Sequence, residues 1–113
     1  MVNYDNLSVY KTSYDMLLQV FEIVKKFERD YKYTLWESIK KESIKIITLI
    51  YRANSSFEKR KVYLWEARES VEVLKLYFRL SKDFKVIALE KFVSMSQIVD
   101  SLSKQLVSWQ KSV

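Results

Sequence analysis

The sequence predicts an all-α fold, an up-down-up-down antiparallel four-helix bundle, and three observations predict it. Apolar residues recur at steps of three and four over four long stretches, which is the spacing of one helix face. The 113 residues include no glycine and no proline, which removes glycine-dependent hairpin turns and disfavours strand-rich folds. The connections between the stretches are short, and short connections force sequential helices to lie antiparallel.

The first two helices are predicted over residues 7–27 and 34–54. The core stripe predicted for the first helix comprises Tyr10, Tyr14, Leu17, Phe21 and Val24, widened by Leu18 and Ile23. A charged stretch at residues 28–33 is the predicted first turn. Thr34 and Glu37 have capping-box spacing, which places the start of the second helix at Thr34. Its predicted core face is Leu35, Ile39, Ile46, Ile50 and Ala53, and residues 54–56 are a plausible stop.

The third and fourth helices are predicted over residues 56–84 and 88–111. Ser55 and Glu58 repeat the capping-box spacing at the start of the third helix. Its predicted core stripe is Leu64, Ala67, Val71, Leu74 and Phe78. The turn after it is predicted at residues 85–87. The fourth helix has strict three-four alternation in Phe92, Met95, Val99, Leu102, Leu106, Trp109 and Val113, as in a coiled-coil seam.

Composition limits the classes of function. A chain of 113 residues is one domain by the usual size prior, and with 49% hydrophobic and 30% charged residues it can form a core. No apolar run approaches the roughly 18 residues of a membrane span, and the N-terminus does not resemble a signal peptide, so we expect a cytoplasmic protein. Cysteine and histidine are absent, which removes the commonest metal ligands and nucleophile–base pairs. We therefore predict no catalytic residue, no metal, no cofactor and no enzyme activity.

The positive charge is concentrated in the second and third predicted helices. The formal net charge is +6, and residues 39–61 hold seven cations against Glu42 and Glu58. The candidate nucleic-acid contacts are Lys41, Lys45 and Arg52 on helix two and Lys61, Arg68, Lys75, Arg79 and Lys82 on helix three. Because the two helices are sequential, these cations are expected to lie side by side and to bind a polyanion in a salt-dependent way. The alternative is a merely solvated face, since Glu66, Glu69 and Glu72 lie among the cations.

Five aromatic residues fall outside the predicted core stripes: Trp36, Tyr51, Tyr63, Trp65 and Tyr77. They are candidates for a subunit interface, because Tyr and Trp supply large apolar area with a polar tip. Stacking on nucleic-acid bases is the second interpretation, and it has less weight.

Several segments together resemble a family of small four-helix bundles. This family comprises proteins encoded in intervening sequences of bacterial 23S ribosomal RNA genes and the accessory variability determinants (Avd) of diversity-generating retroelements. The resemblance lies in residues 33–36 with Ile39, residues 50–54, residues 63–64 with Ala67, residues 76–81 and residues 106–109. The pattern is closer to the Avd branch. It departs from the family where Phe27 is followed by Glu28 instead of proline, and where Val107 and Ser108 replace small residues before Trp109.

The resemblance implies a basic, ring-like homopentamer. In the Avd branch such a ring associates with nucleic acid, RNA or DNA, and with a reverse transcriptase during mutagenic copying of a template RNA. Arg52 and Arg79 match basic positions of that pattern and are the contacts that the resemblance implies. The alternative function is a protein-interaction bundle of the ribosomal intervening-sequence type, whose partner would be an acidic protein surface.

Overall fold

The computed structural model describes residues 4–27 and 32–113, and within these residues the fold is an all-α four-helix bundle. The helices are α1 (Tyr4–Val24), α2 (Glu37–Ser55), α3 (Arg60–Asp83) and α4 (Leu89–Lys111), and no strand occurs among them. Each helix packs on two others, because α1 contacts α2 and α4 while α3 contacts the same two. The bundle measures 43 × 23 × 19 Å along its principal axes.

The core consists of one face of each helix. The predicted core faces of α2 and α3 are confirmed, since every residue predicted for them is buried. In α4 the predicted seam is buried from Met95 to Trp109, while Phe92 is half-buried and Val113, beyond the end of the helix, is 38% exposed. Long amphipathic helices of this kind derive most of their stability from burying the apolar face.

The predicted core stripe of α1 is wrong. The buried residues of this helix are Val9, Ser13, Met16, Val20, Ile23 and Val24, followed by Phe27. Tyr10, Tyr14, Leu18 and Phe21 are 40%, 49%, 54% and 38% exposed. The helix is therefore rotated by about one residue, roughly 100° at 3.6 residues per turn, from the orientation that the sequence pattern predicts. Only Ile23 and Val24 of the predicted stripe are buried.

The start of α2 also differs from the prediction. A π-helical turn, Lys32–Trp36, leads directly into α2, and no side chain caps the first turn of α2. The backbone is already helical at Thr34, so Thr34 does not occupy the non-helical position that a capping box requires. The predicted first turn, residues 28–33, lies outside the described residues except for positions 32 and 33, which belong to the π-helical turn.

In the connection between α2 and α3, the serine side chain that accepts a backbone hydrogen bond is that of Ser56, and not that of Ser55 as predicted. The Ser56 hydroxyl accepts a hydrogen bond of 3.2 Å from the backbone N–H of Lys59, whereas the Ser55 hydroxyl donates back to the carbonyl of Tyr51. Arg60 joins the two helices, because its guanidinium donates to the carbonyls of Ala53 at 2.7 Å and Asn54 at 3.2 Å. A cation at these carbonyls is favourable at a helix C-terminus.

The end of α3 is a Schellman motif, in the position predicted for the turn. Lys85 adopts a positive φ of 59°. The N–H of Val86 donates to the carbonyl of Ser81 at 2.8 Å, and the N–H of Lys85 donates to that of Lys82 at 2.9 Å. These are the two hydrogen bonds that define the motif. Val86 also packs against the core, which fixes the direction of the chain towards α4.

Candidate nucleic-acid interface

The three candidate cations of α2 lie on its outer surface. Lys41, Lys45 and Arg52 are exposed, and helical geometry places them within one narrow stripe. None of them forms an ion pair with a described residue. No carboxylate among the described residues offsets their charges by an ion pair.

The candidate cations of α3 lie on the side of that helix that faces α4. Arg68 donates from its guanidinium to Oε1 of Gln110 on α4. The Nζ atom of Lys75 lies 3.4 Å from Oδ1 of Asp100, also on α4. Lys61 and Arg79 share this side by helical spacing and are exposed. The basic ridge predicted on α3 therefore exists, and it borders the α3–α4 groove.

Two members of this ridge form ion pairs with carboxylates of the described residues. Lys75 contacts Glu72 at 3.3 Å in addition to Asp100, so two carboxylates offset its charge. The Nζ atom of Lys82 lies 3.8 Å from Oδ1 of Asp83 and 4.8 Å from the centre of the Phe92 ring. Lys61, Arg68 and Arg79 form no ion pair with a described residue. These three are the α3 cations most available to an anion.

The cations of α2 and α3 do not form one field, in contrast to the expectation from sequence. The groove between these helices has a volume of ≈ 530 Å³ and is lined by Glu42, Lys45, Glu66, Glu69, Ser70, Glu72 and Val73. Four carboxylates and one amine make this groove acidic. The ridge of α3 faces α4, so Glu66 lies on the side of α3 towards α2, and Glu69 and Glu72 on the outer side of α3 also line this groove. The eight candidate residues therefore fall into two separate strips.

Two further lysines belong beside the α3 ridge, and sequence reasoning missed them. Lys104 and Lys111 are exposed on the outer side of α4. The contact between Arg68 and Gln110 shows that the end of α4 lies next to the first turns of α3. We call the surface formed by Lys61, Arg68, Arg79, Lys104 and Lys111 the α3–α4 basic face. The spacing of seven between Lys104 and Lys111 is a sequence signal that could have identified them.

The five aromatic interface candidates divide into two groups. Trp36, Tyr63 and Tyr77 are half-buried and pack against the core, so they lie closer to the bundle interior than predicted. Tyr51 and Trp65 are 62% and 55% exposed. Trp36 also has the Nζ atom of Lys40 at 4.1 Å from its ring centre, a cation–π contact. Only Tyr51 and Trp65 present most of their surface to solvent.

No cluster of metal-ligating groups occurs in the described part of the chain. No group of three or more Asp or Glu side chains among the described residues is arranged to hold a metal ion. None of the described helices is both long enough and apolar enough to cross a membrane. The described surfaces combine positive charge on the α3–α4 basic face and on the outer side of α2, an acidic α2–α3 groove, and exposed apolar side chains.

The fold and its charged surface define a class, the small basic four-helix bundles. A family model described as bAvd-like matches residues 7–113, and the chain belongs to this family. The family resemblance inferred from the sequence is thereby confirmed. A crystal structure of a protein of unknown function from the S23 ribosomal protein family of Bacteroides thetaiotaomicron is similar in fold. It has a TM-score of 0.87 at 16% identity, over 95% of this chain and 98% of that chain. No curated protein matches this sequence.

Proposed function

We propose that this protein is a non-enzymatic accessory protein that binds nucleic acid, RNA or DNA, through its α3–α4 basic face. The observation that carries the proposal is the set of exposed cations on that face that form no ion pair with a described residue, beginning with Lys61, Arg68 and Arg79. Each cation placed near a phosphate releases a condensed counterion, so such a surface binds a polyanion with little sequence preference. Membership of the bAvd-like family supports an accessory role.

The proposal includes the assembly and the protein partner that the family resemblance implies. Copies of an up-down-up-down bundle would associate as a homopentamer, which would place several basic faces in one field and strengthen binding by multivalency. A reverse transcriptase of a diversity-generating retroelement would be the protein partner. A gene for such an enzyme next to the gene for this protein, with paired template and variable repeats, would support this partner.

The test is charge reversal on the α3–α4 basic face. The triple variant Lys61→Glu, Arg68→Glu, Arg79→Glu should bind labelled single-stranded RNA and double-stranded DNA at least about tenfold more weakly at roughly 50 mM salt. Losing three phosphate contacts should also lower the slope of log affinity against log salt by about two on single strands. Lys75 is left unchanged, because its ion pairs with Glu72 and Asp100 would confound the result.

The matched control reverses three exposed lysines outside this face, by Lys26→Glu, Lys85→Glu and Lys91→Glu. Both triple variants change the net charge by the same amount, so a general charge effect would weaken both equally. Circular dichroism should show unchanged helicity in both. The proposal is wrong if the wild-type protein does not bind either probe at about 50 mM salt, or if the two triple variants bind equally well.

A protein-interaction function is the second candidate, and the exposed apolar residues favour it. Trp65 and Leu76 on the outer side of α3 are 55% and 53% exposed, and Tyr51 on α2 is 62% exposed. Exposed apolar surface of this kind marks a protein contact more often than a nucleic-acid contact. Co-purification of one protein partner that survives nuclease treatment would favour this function. Loss of all partners after nuclease treatment would favour nucleic-acid binding.

A further inference from the structure

A small pocket opens between α3 and α4, next to the α3–α4 basic face. Its volume is ≈ 190 Å³. The apolar residues that line it are Phe78 and Val99, which are buried, and Phe92, which is half-buried. Arg79 also lines the pocket, so the opening lies directly beside a cation that the proposed function assigns to nucleic acid. The pocket therefore combines an apolar, partly aromatic interior with an exposed basic neighbour.

Hydrogen-bonding groups complete the lining of this pocket. Besides Arg79, the polar residues that line it are Lys75, Ser96 and Asp100. The hydroxyl of Ser96 can both donate and accept a hydrogen bond, whereas the carboxylate of Asp100 only accepts. A ligand that matches this lining has an apolar ring and both donors and acceptors at its edge.

The charges next to the pocket nearly balance. Lys82 is a neighbour of the pocket, because its Nζ atom lies 4.8 Å from the centre of the Phe92 ring. Three carboxylates lie within ion-pair distance of the two neighbouring lysines: Glu72 and Asp100 beside Lys75, and Asp83 beside Lys82. Arg79 forms no ion pair with a described residue. The pocket therefore suits an uncharged group, while Arg79 can contact a phosphate attached to that group.

We propose that this pocket binds one unpaired base of a single-stranded nucleic acid. The inference rests on the proposed function and deepens it, because it adds a base contact to the phosphate contacts of the α3–α4 basic face. A nucleobase is an uncharged aromatic ring, and proteins that bind single strands stack such rings on aromatic side chains. The ring of Phe92 provides the stacking surface. Ser96 and Asp100 provide hydrogen-bond partners for the edge of the base, including an acceptor for its amino group.

The position of the pocket fits a strand that follows the basic face along α3. Arg68 and Arg79 are separated by roughly 16 Å along the helix axis at 1.5 Å per residue, and Lys75 at the pocket lies between them. A strand whose phosphates contact both arginines therefore passes the pocket. In a duplex the bases are stacked and paired, so none can enter the pocket without being extruded at a cost in free energy. The pocket thus adds affinity for single strands and not for duplexes.

Three labelled probes of equal length separate base contacts from phosphate contacts. They are a single-stranded oligodeoxynucleotide, an abasic strand that has the same phosphates but no bases, and the duplex of the first strand with its complement. The wild-type protein should bind the base-bearing single strand at least about fivefold more tightly than the abasic strand, which is the lower end of what stacking of one base contributes. Fluorescence anisotropy at roughly 50 mM salt measures the three affinities.

Two variants remove the pocket in different ways. Phe92→Leu keeps an apolar side chain but removes the aromatic ring, whereas Ser96→Leu keeps the ring and fills the pocket. Each should weaken binding of the base-bearing single strand at least about fivefold, to the level of the abasic strand, and leave binding of the abasic strand and the duplex unchanged. The matched control is Phe21→Leu, because Phe21 is 38% exposed on α1 and contacts Lys40 of α2. This control should bind all three probes as the wild-type protein does.

The outcomes distinguish failure of the base pocket from failure of the proposed function. The charge-reversal variant of the α3–α4 basic face should bind all three probes more weakly, whereas the two pocket variants should lose affinity for the base-bearing single strand alone. Equal affinities of the wild-type protein for the base-bearing and abasic strands would overturn the base pocket and leave phosphate binding intact. Equal losses for all probes in a pocket variant with unchanged helicity by circular dichroism would also overturn it. A wild-type protein that binds none of the probes would contradict the proposed function and this inference together.

Discussion

Helices α1 and α3 each carry one apolar stripe on the buried side and another on the exposed side. In α3 the buried stripe has no charged member, whereas the exposed outer stripe, which consists of Val62, Trp65, Glu69 and Leu76, contains a glutamate, so the charge pattern distinguishes them. In α1 neither stripe has a charged member, and the exposed stripe has the larger residues Tyr10, Tyr14 and Phe21 while the buried stripe contains Ser13. Periodicity thus shows that a helix has an apolar face, but it does not show which of two stripes faces the core.

The burial of Ser13 explains why the more polar stripe of α1 can lie inside. Its hydroxyl donates a hydrogen bond of 2.8 Å to the carbonyl of Tyr10, one turn earlier in the same helix. A buried hydroxyl costs little once it is hydrogen-bonded. Ser43 on α2 and Ser81 on α3 are buried in the same manner, with bonds of 2.7 and 2.9 Å to carbonyls four residues earlier. Serine in these helices is therefore compatible with the core.

The largest expected effect is the difference in stability loss between a substitution in the buried stripe of α3 and one in its outer stripe. Leu74→Ala should lower the free energy of unfolding by about 2–5 kcal/mol, because Leu74 is fully buried and its loss leaves a cavity. Leu76→Ala removes the same atoms from a position 53% exposed and should cost no more than about 0.5 kcal/mol. Urea denaturation at a concentration where the protein is monomeric measures both. Equal losses would show that the outer stripe belongs to the core.

The same comparison of stability losses on α1 tests whether the buried stripe is the one in the structure or the one predicted from the sequence. Met16→Ala should destabilise the bundle by about 2–5 kcal/mol, since Met16 is fully buried. Leu18→Ala should change stability by at most about 0.5 kcal/mol, because Leu18 is 54% exposed. Thermal and urea denaturation of the two variants provide the measurement. A larger loss at Leu18 than at Met16 would restore the orientation of α1 predicted from the sequence.

A smaller loss of stability is expected from a substitution at Arg60, which links the start of α3 to the end of α2. Arg60→Gln should cost about 1–2 kcal/mol, because it removes a charged donor from the carbonyls of Ala53 and Asn54. The neighbouring Lys61→Gln is the matched control, since Lys61 is exposed and forms no described ion pair, and it should leave stability unchanged within about 0.5 kcal/mol. Similar urea midpoints for the two variants would show that Arg60 does not hold α3 in place.

The sequence by itself determined the four helices, the position of the turn after α3 and the core faces of α2, α3 and most of α4. These features are local, because they depend on residue spacing within one helix and on the absence of glycine and proline. The cations of α3 were also identifiable as a ridge from their seven-residue spacing. The candidate residues on α2 and α3 were therefore predictable, but their arrangement relative to each other was not.

Only the tertiary structure decided the rotation of α1 and the direction in which the ridge of α3 faces. The two orientations depend on how the side chains of neighbouring helices fill the shared core. A helical wheel of one helix contains no information about the side chains of its neighbours. The core accepts the smaller stripe of α1, with Ser13, Met16 and Val20 against the other helices, and leaves the aromatic stripe exposed. The packing of α3 against α4 likewise turns its cations away from those of α2, because burial of the inner stripe fixes the orientation of every other side of the helix.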